Sequence, residues 1–401
     1  MDYSDNRLAD YRGDSHIGRG ALDVPFLLIV LLLLAIGVVM VLSASFARAY
    51  YSSVSNHSAT FYFTRQLFFA VTGVAIMLLA SRFPIGFYRR FSGVLLLFSI
   101  VMLLLVLVGG VRANGARRWF AIGSITFQPS EIAKIAVILF EAQLVCRYKD
   151  KMGTFRYGVL PFGIVAAVIV GLLVLEPHLS ASIIILGVTA IMMFVGGTRI
   201  FWFLLGGGAV ALGGVIAVNV LEYSSERISA WMDPFADTSD TGYQIVQSLY
   251  AIGSGGLSGL GLGSGRQKYL YLPEEHNDFI FSVVCEELGF IGAALILILF
   301  ALLITRGFWL AMHCKDRYSF LVCCGVTGLL ALQVFLNVAV VTNLIPCTGI
   351  SLPFFSYGGT ALWLQLAEMG IILSISRDVP EKKFIRPRLK RATSRREGAE
   401  A

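Results

Sequence analysis

Charge is what this sequence has little of. Asp, Glu, Lys and Arg make up 14% of its 401 residues, and 57% of the residues are hydrophobic. Soluble domains carry about 25% charged residues. A chain this poor in charge cannot solvate a globule of its size, and the same composition excludes intrinsic disorder. Cysteine is also sparse. The six are Cys146, Cys285, Cys314, Cys323, Cys324 and Cys347. Only Cys347 falls in a segment read as outer-face, so no structural disulfide is expected. There is no CxxC pair and no HExxH, and His16, His57, His178, His276 and His313 are scattered. Their spacing gives no support to a metal cage.

What is present is apolar sequence in runs of about 20 residues, the length that spans a bilayer. Ten such runs fall near 24–43, 66–81, 91–109, 131–146, 158–175, 180–198, 201–221, 279–304, 320–342 and 359–376. The reading is an all-α integral membrane protein. Ten spans put both termini on one side. Most of the 32 Lys and Arg lie in segments that are cytoplasmic if the termini are inside, which sets the orientation. A cytoplasmic tail (1–23) then leads into a ten-helix domain (24–376), and a basic cytoplasmic tail (377–401) follows. The longest loop, 222–278, lies on the outer face between helices 7 and 8. Ser43-Ala44-Ser45 resembles a signal-peptide cleavage site, but the preceding polar region is long and carries acids. The basic stretch Arg377–Arg396 reads as a solvated stop-transfer flank rather than a nucleic-acid arm, and it could favour anionic membrane lipids.

Four outer-face segments collect the polar residues that are expensive at a membrane surface. In the first, Asn114-Gly115 reads as a turn. Arg117-Arg118-Trp119-Phe120 reads either as a snorkelling aromatic belt or as a clamp for an anionic headgroup. Gln128-Pro129-Ser130-Glu131 then looks like a helix start, and Glu131 and Lys134 share a face, either as an internal ion pair or as part of a site. The second segment is the short turn Glu176-Pro177-His178. The third, in the long loop, holds an amphipathic stretch at 242–252, expected to lie on the membrane surface. A glycine-rich run (253–268) follows, either a flexible loop or a backbone cradle for a pyrophosphate. It ends in Pro273-Glu274-Glu275-His276-Asn277-Asp278. Asn277 or Asp278 could cap the next span. Alternatively Glu274, Glu275 and Asp278 share a helical face, and like charges in low dielectric raise a carboxylate toward general-base range. The fourth segment, Asn343–Thr360, has prolines and glycines but no charge, and fits a re-entrant or discontinuous helix lining a cavity.

Taken in order, RRWF with FQPSEIAK, then GYQIVQSLYAIGSGG, GLGSGRQKYLYLPEEHNDFIF and LIPCTGISLPFFSYGG closely resemble the SEDS family (shape, elongation, division and sporulation; FtsW, RodA and SpoVE). The resemblance runs from about Asp23 to Arg377, and its PEEHND and LPFFSY stretches are nearer the division and sporulation type than the elongation type. It implies a SEDS-type fold in the bacterial cytoplasmic membrane and a peptidoglycan glycosyltransferase that polymerises lipid II, with inversion and release of undecaprenyl pyrophosphate. The alternatives are an elongation-type polymerase or a lipid II flippase. The resemblance places the essential aspartate at Asp278, expected to act as general base. It aligns Glu131, Lys134 and Trp119 with functional positions. Arg118, Lys134, Arg266 and Lys268 are the cations expected to face the pyrophosphate. Glu275, His276 and Ser356, in the same motifs, are expected to contact substrate. No cofactor is required, though a divalent cation could assist. The implied partners are a class B penicillin-binding protein transpeptidase, other divisome membrane proteins and membrane lipids, with no nucleic acid. One departure stands out: His178 occupies a position where the family often has Asp, so no role is carried over to it.

Overall fold

A computed structural model describes residues 20–113, 116–123, 125–208, 230–236 and 242–379. The Asn114-Gly115 turn, most of the seventh apolar run and nearly all of both tails lie outside the described residues.

Eight helices are long and apolar enough to cross a membrane. They are α1 (Val24–Tyr51), α2 (Phe61–Ala80), α3 (Ile85–Gly109), α5 (Leu160–Leu175, extended by a π-turn at Phe155–Val159), α6 (Leu179–Gly196), α8 (Ile280–Met312), α9 (Arg317–Val341) and α10 (Gly359–Ser376). Helix α4 (Pro129–Tyr148) occupies the fourth run but carries Glu131, Lys134, Glu141 and Arg147. A helical segment at 200–208 occupies the start of the seventh. Large apolar side chains such as Leu28, Leu97, Leu104 and Val108 are exposed. Water would penalise that surface, whereas lipid does not. Inside, α9 is largely enclosed, packing on α8, α6 and α4; α10 packs on α2, and α1 on α8 and α2.

Local signals set several helix starts. Asp23 caps α1 by accepting the Phe26 N–H at 2.9 Å, with proline in the first turn. The Asp23 carboxylate also receives two hydrogen bonds from Arg306 of α8, which ties these two helices together at the start of α1. Helix α4 starts on Pro129, as the motif suggested.

The structure departs from the sequence reading in three places. A three-stranded antiparallel sheet, β1 (Val111–Ala113), β2 (Ala116–Ile122) and β3 (Ile125–Phe127), joins α3 to α4, so the described residues are not wholly helical. The amphipathic helix α7 (Tyr243–Gly255) forms, but its Ile245, Val246 and Ala251 are buried against α8 and α9 rather than on the membrane surface. The Ser248 hydroxyl lies 2.7 Å from both Ser282 Oγ and the Val341 carbonyl. Finally, α8 is interrupted at Gly289 (φ 66°, ψ −172°). The freed carbonyls of Glu286 and Glu287 accept the Leu260 and Gly261 N–H groups, both at 3.0 Å. A β-carbon on Gly259 would lie 2.2 Å from the Glu287 carbonyl oxygen, so the loop can enter the break only as glycine.

Residues 343–358 enter the bundle without helical structure, as their composition implied. Asn337 of α9 donates to the carbonyls of Ile350 (2.7 Å) and Asp278 (2.8 Å), which fastens this segment beside the start of α8.

Candidate active site

The polar segments converge on one cavity of about 700 Å³. Strand β2 supplies Arg118 and Trp119, and the start of α4 supplies Gln128, Glu131 and Lys134. The turn before α6 adds His178 and Ser180, the turn before α8 adds Glu274, Asn277 and Asp278, and the irregular segment adds Gly349, Ile350, Ser351 and Ser356 to Gly358. Tyr62, Arg65 and Phe69 of α2 form another wall.

Asp278 is half-buried, and its carboxylate accepts no hydrogen bond from the described residues. A β-carbon on Gly349 (φ 68°) would lie 3.1 Å from Asp278 Oδ2, so glycine leaves that oxygen approachable. Burial pushes the Asp278 carboxyl up to about 6; Glu274 adds to the rise and Arg118 opposes it. This is the range in which a carboxylate accepts a proton effectively near neutral pH. Asn277 and Asp278 do not cap α8, because Phe279 occupies the cap position without a side-chain bond. Nor do residues 274–278 form a helix: they make a turn with Glu274 at φ 54°. Glu274 therefore faces the cavity with Asp278 while Glu275 points away.

Lys134 is buried and pairs with Glu131 at 2.7 Å, so the ion pair and the site are the same object. Arg118 donates to the carbonyls of Glu176 (3.3 Å) and Pro177. These bonds hold its guanidinium at the cavity wall. Burial pushes the Glu176 carboxyl up to about 8, so it is protonated near neutral pH. Burial, with Arg118 and Lys134 nearby, pushes His178 down to about 3, so its ring is neutral. His178 Nε2 lies 3.3 Å from the Gln128 amide, while Nδ1 is buried without a partner among the described residues. The Arg, Lys, Asp and Glu side chains lining the cavity are Arg65, Arg118, Glu131, Lys134, Glu274 and Asp278.

Ser356 lines the cavity, but its hydroxyl is already used. It donates to the Asn277 carbonyl (2.8 Å) and accepts from the Leu352 N–H (2.7 Å), fixing the irregular segment against the Asp278 turn.

Four expected site residues lie outside the cavity lining. Lys268 is buried and pairs with Glu287 at 2.7 Å, with Ser43 of α1 donating to the same carboxylate. Gly263 and Gly265 N–H groups reach Glu287 at 3.0 and 3.4 Å, and those of Arg266 and Gln267 reach Glu286 at 2.8 and 3.2 Å. The glycine-rich run is therefore a backbone cradle, as one reading held, but its anions are this chain's own carboxylates, not a pyrophosphate. The Arg266 side chain is exposed and off the cavity. Glu275 is buried and receives two 2.7 Å bonds from Arg48 of α1. Burial alone would raise its carboxyl; His276 and Arg48 outweigh burial and hold it below the ordinary range. His276 packs between Tyr62 and Tyr357, which do line the cavity.

Sequence reasoning missed Tyr62, Arg65, Gln333 and Gln365, all of which line the cavity. A lone polar residue inside an apolar run was the available signal for Gln333 and Gln365. Among the described residues, no three His, Cys, Asp or Glu side chains gather in a way that could hold a metal ion.

Known proteins resemble the chain over nearly all of this architecture. The family described as "Cell cycle protein", covering FtsW, RodA and SpoVE, matches residues 24–381. Stage V sporulation protein E of Bacillus subtilis is 41% identical over 359 residues, covering 88% of this chain and 97% of that protein. A probable peptidoglycan glycosyltransferase FtsW of Trichlorobacter lovleyi is 40% identical over 357 residues, covering 88% of this chain and 93% of that protein. Among solved structures, a chain of a peptidoglycan synthase complex that coordinates polymerization and crosslinking matches with a TM-score of 0.76 at 30% identity, covering 90% of this chain and 99% of the other. The rod shape determining protein RodA of Thermus thermophilus matches with a TM-score of 0.66 at 29% identity, covering 90% of this chain and 98% of the other.

Proposed function

The chain belongs to the FtsW/RodA/SpoVE (SEDS) family, and from that premise we propose that it is a multi-pass membrane peptidoglycan glycosyltransferase acting on lipid II at the outer face. The observation that carries this reading is the cavity itself. One approachable carboxylate, Asp278, faces the same space as Lys134 and Arg118.

The reaction needs those two elements and little else. The acceptor's GlcNAc 4-hydroxyl oxygen forms a bond to C1 of the donor's MurNAc, and the bond from C1 to the pyrophosphate oxygen breaks with inversion. The electron pair leaves with undecaprenyl pyrophosphate, and the hydroxyl proton passes to Asp278. Lys134 and Arg118 counter the negative charge that grows on the departing oxygen. Glu131 orients the Lys134 amine. His178, being neutral, offers a hydrogen bond to an uncharged substrate group. The lipid pyrophosphate already carries the activation, so no nucleotide is consumed.

The distribution of Lys and Arg supports cytoplasmic placement of both termini. On this reading the domain spans 24–376, with a tail at each end, and septal or sporulation wall synthesis is the role that its motifs favour. A class B penicillin-binding protein is the partner that would crosslink the new strands. A flippase would place functional charge through the membrane depth. Of the four central carboxylates such a path could use, Glu141, Glu286, Glu287 and Glu368, the middle two are closed off by Lys268, Ser43 and backbone N–H groups, and Glu141 accepts from Thr189 at 2.9 Å.

The test uses purified protein and lipid II. Glycan strands resolved on a gel support the polymerase. Labelled lipid II crossing a liposome bilayer without strand formation supports the flippase and rejects the proposal.

A further inference from the structure

Asp278 borders two spaces, not one. Besides the large cavity, a smaller one of about 200 Å³ adjoins it, and Arg118, Ser180, Glu274, Asp278 and Gly349 line both. Gln244 of α7 and Cys347 and Thr348 of the irregular segment belong to the small cavity alone. We propose that the two spaces divide the substrates: the large cavity takes the donor's pyrophosphate, and the small cavity takes the acceptor's terminal sugar, with its attacking hydroxyl at Asp278. This assignment rests on the polymerase reading above and adds the direction of attack.

Three observations support it. Inversion requires the incoming and departing oxygens to lie on opposite faces of the sugar. A base that borders two spaces can meet the attacking hydroxyl from one while the leaving group departs into the other. The two spaces also differ in chemistry. The large one holds the Lys134–Glu131 pair and is edged by Phe61 and Phe69 of α2, which suits an anion carrying a lipid. The small one has no lysine. Its distinct polar groups are the Gln244 amide, the Cys347 thiol, which donates to the Gln244 oxygen at 4.0 Å, and Thr348, whose buried Oγ1 has no hydrogen-bond partner among the described residues. Uncharged donors and acceptors of this kind match sugar hydroxyls. Finally, size separates them. Pockets for whole ligands run about 300–1,000 Å³, so the small cavity fits one sugar ring and not a lipid-linked pyrophosphate.

The Gln244 side chain also explains how α7 takes part. Its Nε2 donates to the Pro273 carbonyl at 3.4 Å, just ahead of the Glu274–Asp278 turn. The buried seat of α7 against α8 and α9 thereby fixes both the acceptor wall and the base.

Cys347 provides the probe. Wild-type protein that polymerises lipid II is treated with N-ethylmaleimide, and alkylation of Cys347 is followed by mass spectrometry. A soluble GlcNAc–MurNAc methyl glycoside has a free 4-hydroxyl and no pyrophosphate. At a concentration that inhibits polymerisation it should slow labelling of Cys347, whereas undecaprenyl pyrophosphate should leave the rate unchanged. Protection by the lipid pyrophosphate, or none by an inhibitory disaccharide, overturns the assignment. In a second arm, Cys347→Trp fills the small cavity. This variant should lose polymerisation by more than about tenfold and still bind undecaprenyl pyrophosphate as the wild type does. A variant that polymerises normally, or one that elutes as folded protein but no longer binds the lipid pyrophosphate, contradicts it. If the wild type makes no strands at all, the polymerase reading fails first and separately.

Discussion

Two groups of carboxylates stand at the start of α8, eight or nine residues apart, and they are built in opposite ways. Glu286 and Glu287 are saturated. Lys268, Ser43 and four backbone N–H groups answer them, and both side chains are buried. Asp278 accepts no side-chain hydrogen bond from the described residues and opens on two cavities. A charge that is fully partnered holds a structure in place, and removing one partner leaves the other buried and unpaired. A charge left approachable can meet a substrate, and burial without a partner is what raises its proton affinity. From the chain alone both groups look alike: acidic residues near the start of an apolar run.

The comparison is most sharply broken by exchanging the phenotypes. Asp278→Ala should lower strand synthesis by about 10²–10⁴-fold, the usual contribution of a general base, with insertion and thermal stability unchanged. Strand synthesis near the wild-type rate refutes the base assignment. Next in size, Lys134→Ala should cost about 10²–10³-fold in kcat, as the loss of a preorganised charge does at other active sites; undiminished kcat removes Lys134 from the leaving-group side. Lys268→Ala should do the reverse. It should lower stability by roughly 3–5 kcal/mol, measured by thermal melting in detergent, while strand synthesis per folded molecule is kept. A stable but inactive Lys268→Ala protein would return Lys268 to the site. The smallest effect is expected at Arg266, whose side chain is exposed. Arg266→Ala should change stability by no more than about 0.5 kcal/mol and leave synthesis unaltered, and a large loss of activity there contradicts the placement of the glycine-rich run.

The raised proton affinity of Asp278 has a consequence for stability as well. Its folded value, about 6, lies above the ordinary 3.8. Folding therefore favours the protonated form, and the penalty for ionisation is absent below about 3.8 and complete above about 6. Asp278→Asn removes that penalty, so above pH 6 the variant should melt no lower than the wild type. A lower melting temperature would mean that the carboxylate has a structural partner after all.

The sequence carried much of this outline, for physical reasons. Bilayer thickness sets run length, so eight of the ten expected spans could be read directly, while the fourth run is a more charged helix and the seventh lies mostly outside the described residues; Pro129 marked the start of α4. Glu131 and Lys134 were legible as a pair because three residues on a helix is a local spacing. The partners that separate structural from functional charge are not local. Arg48 meets Glu275 across 227 positions, and Ser43 meets Glu287 across 244. No periodicity encodes those meetings, so Glu275 and Lys268 looked like site residues. The break at Gly289 was hidden for a related reason: a glycine within an apolar helix reads as a tolerated irregularity until a second loop is seen to fill the gap.

The central claim is that Asp278 accepts the proton of the attacking hydroxyl. The most direct measurement is the rate of strand synthesis from lipid II between pH 5 and 8, for the wild type and for Asp278→Asn. The wild-type rate should rise with pH through a midpoint near 6 and level off above it, because the base must be ionised, and the variant should stay at background throughout. A variant that retains the wild-type rate and the same rise with pH would contradict the account.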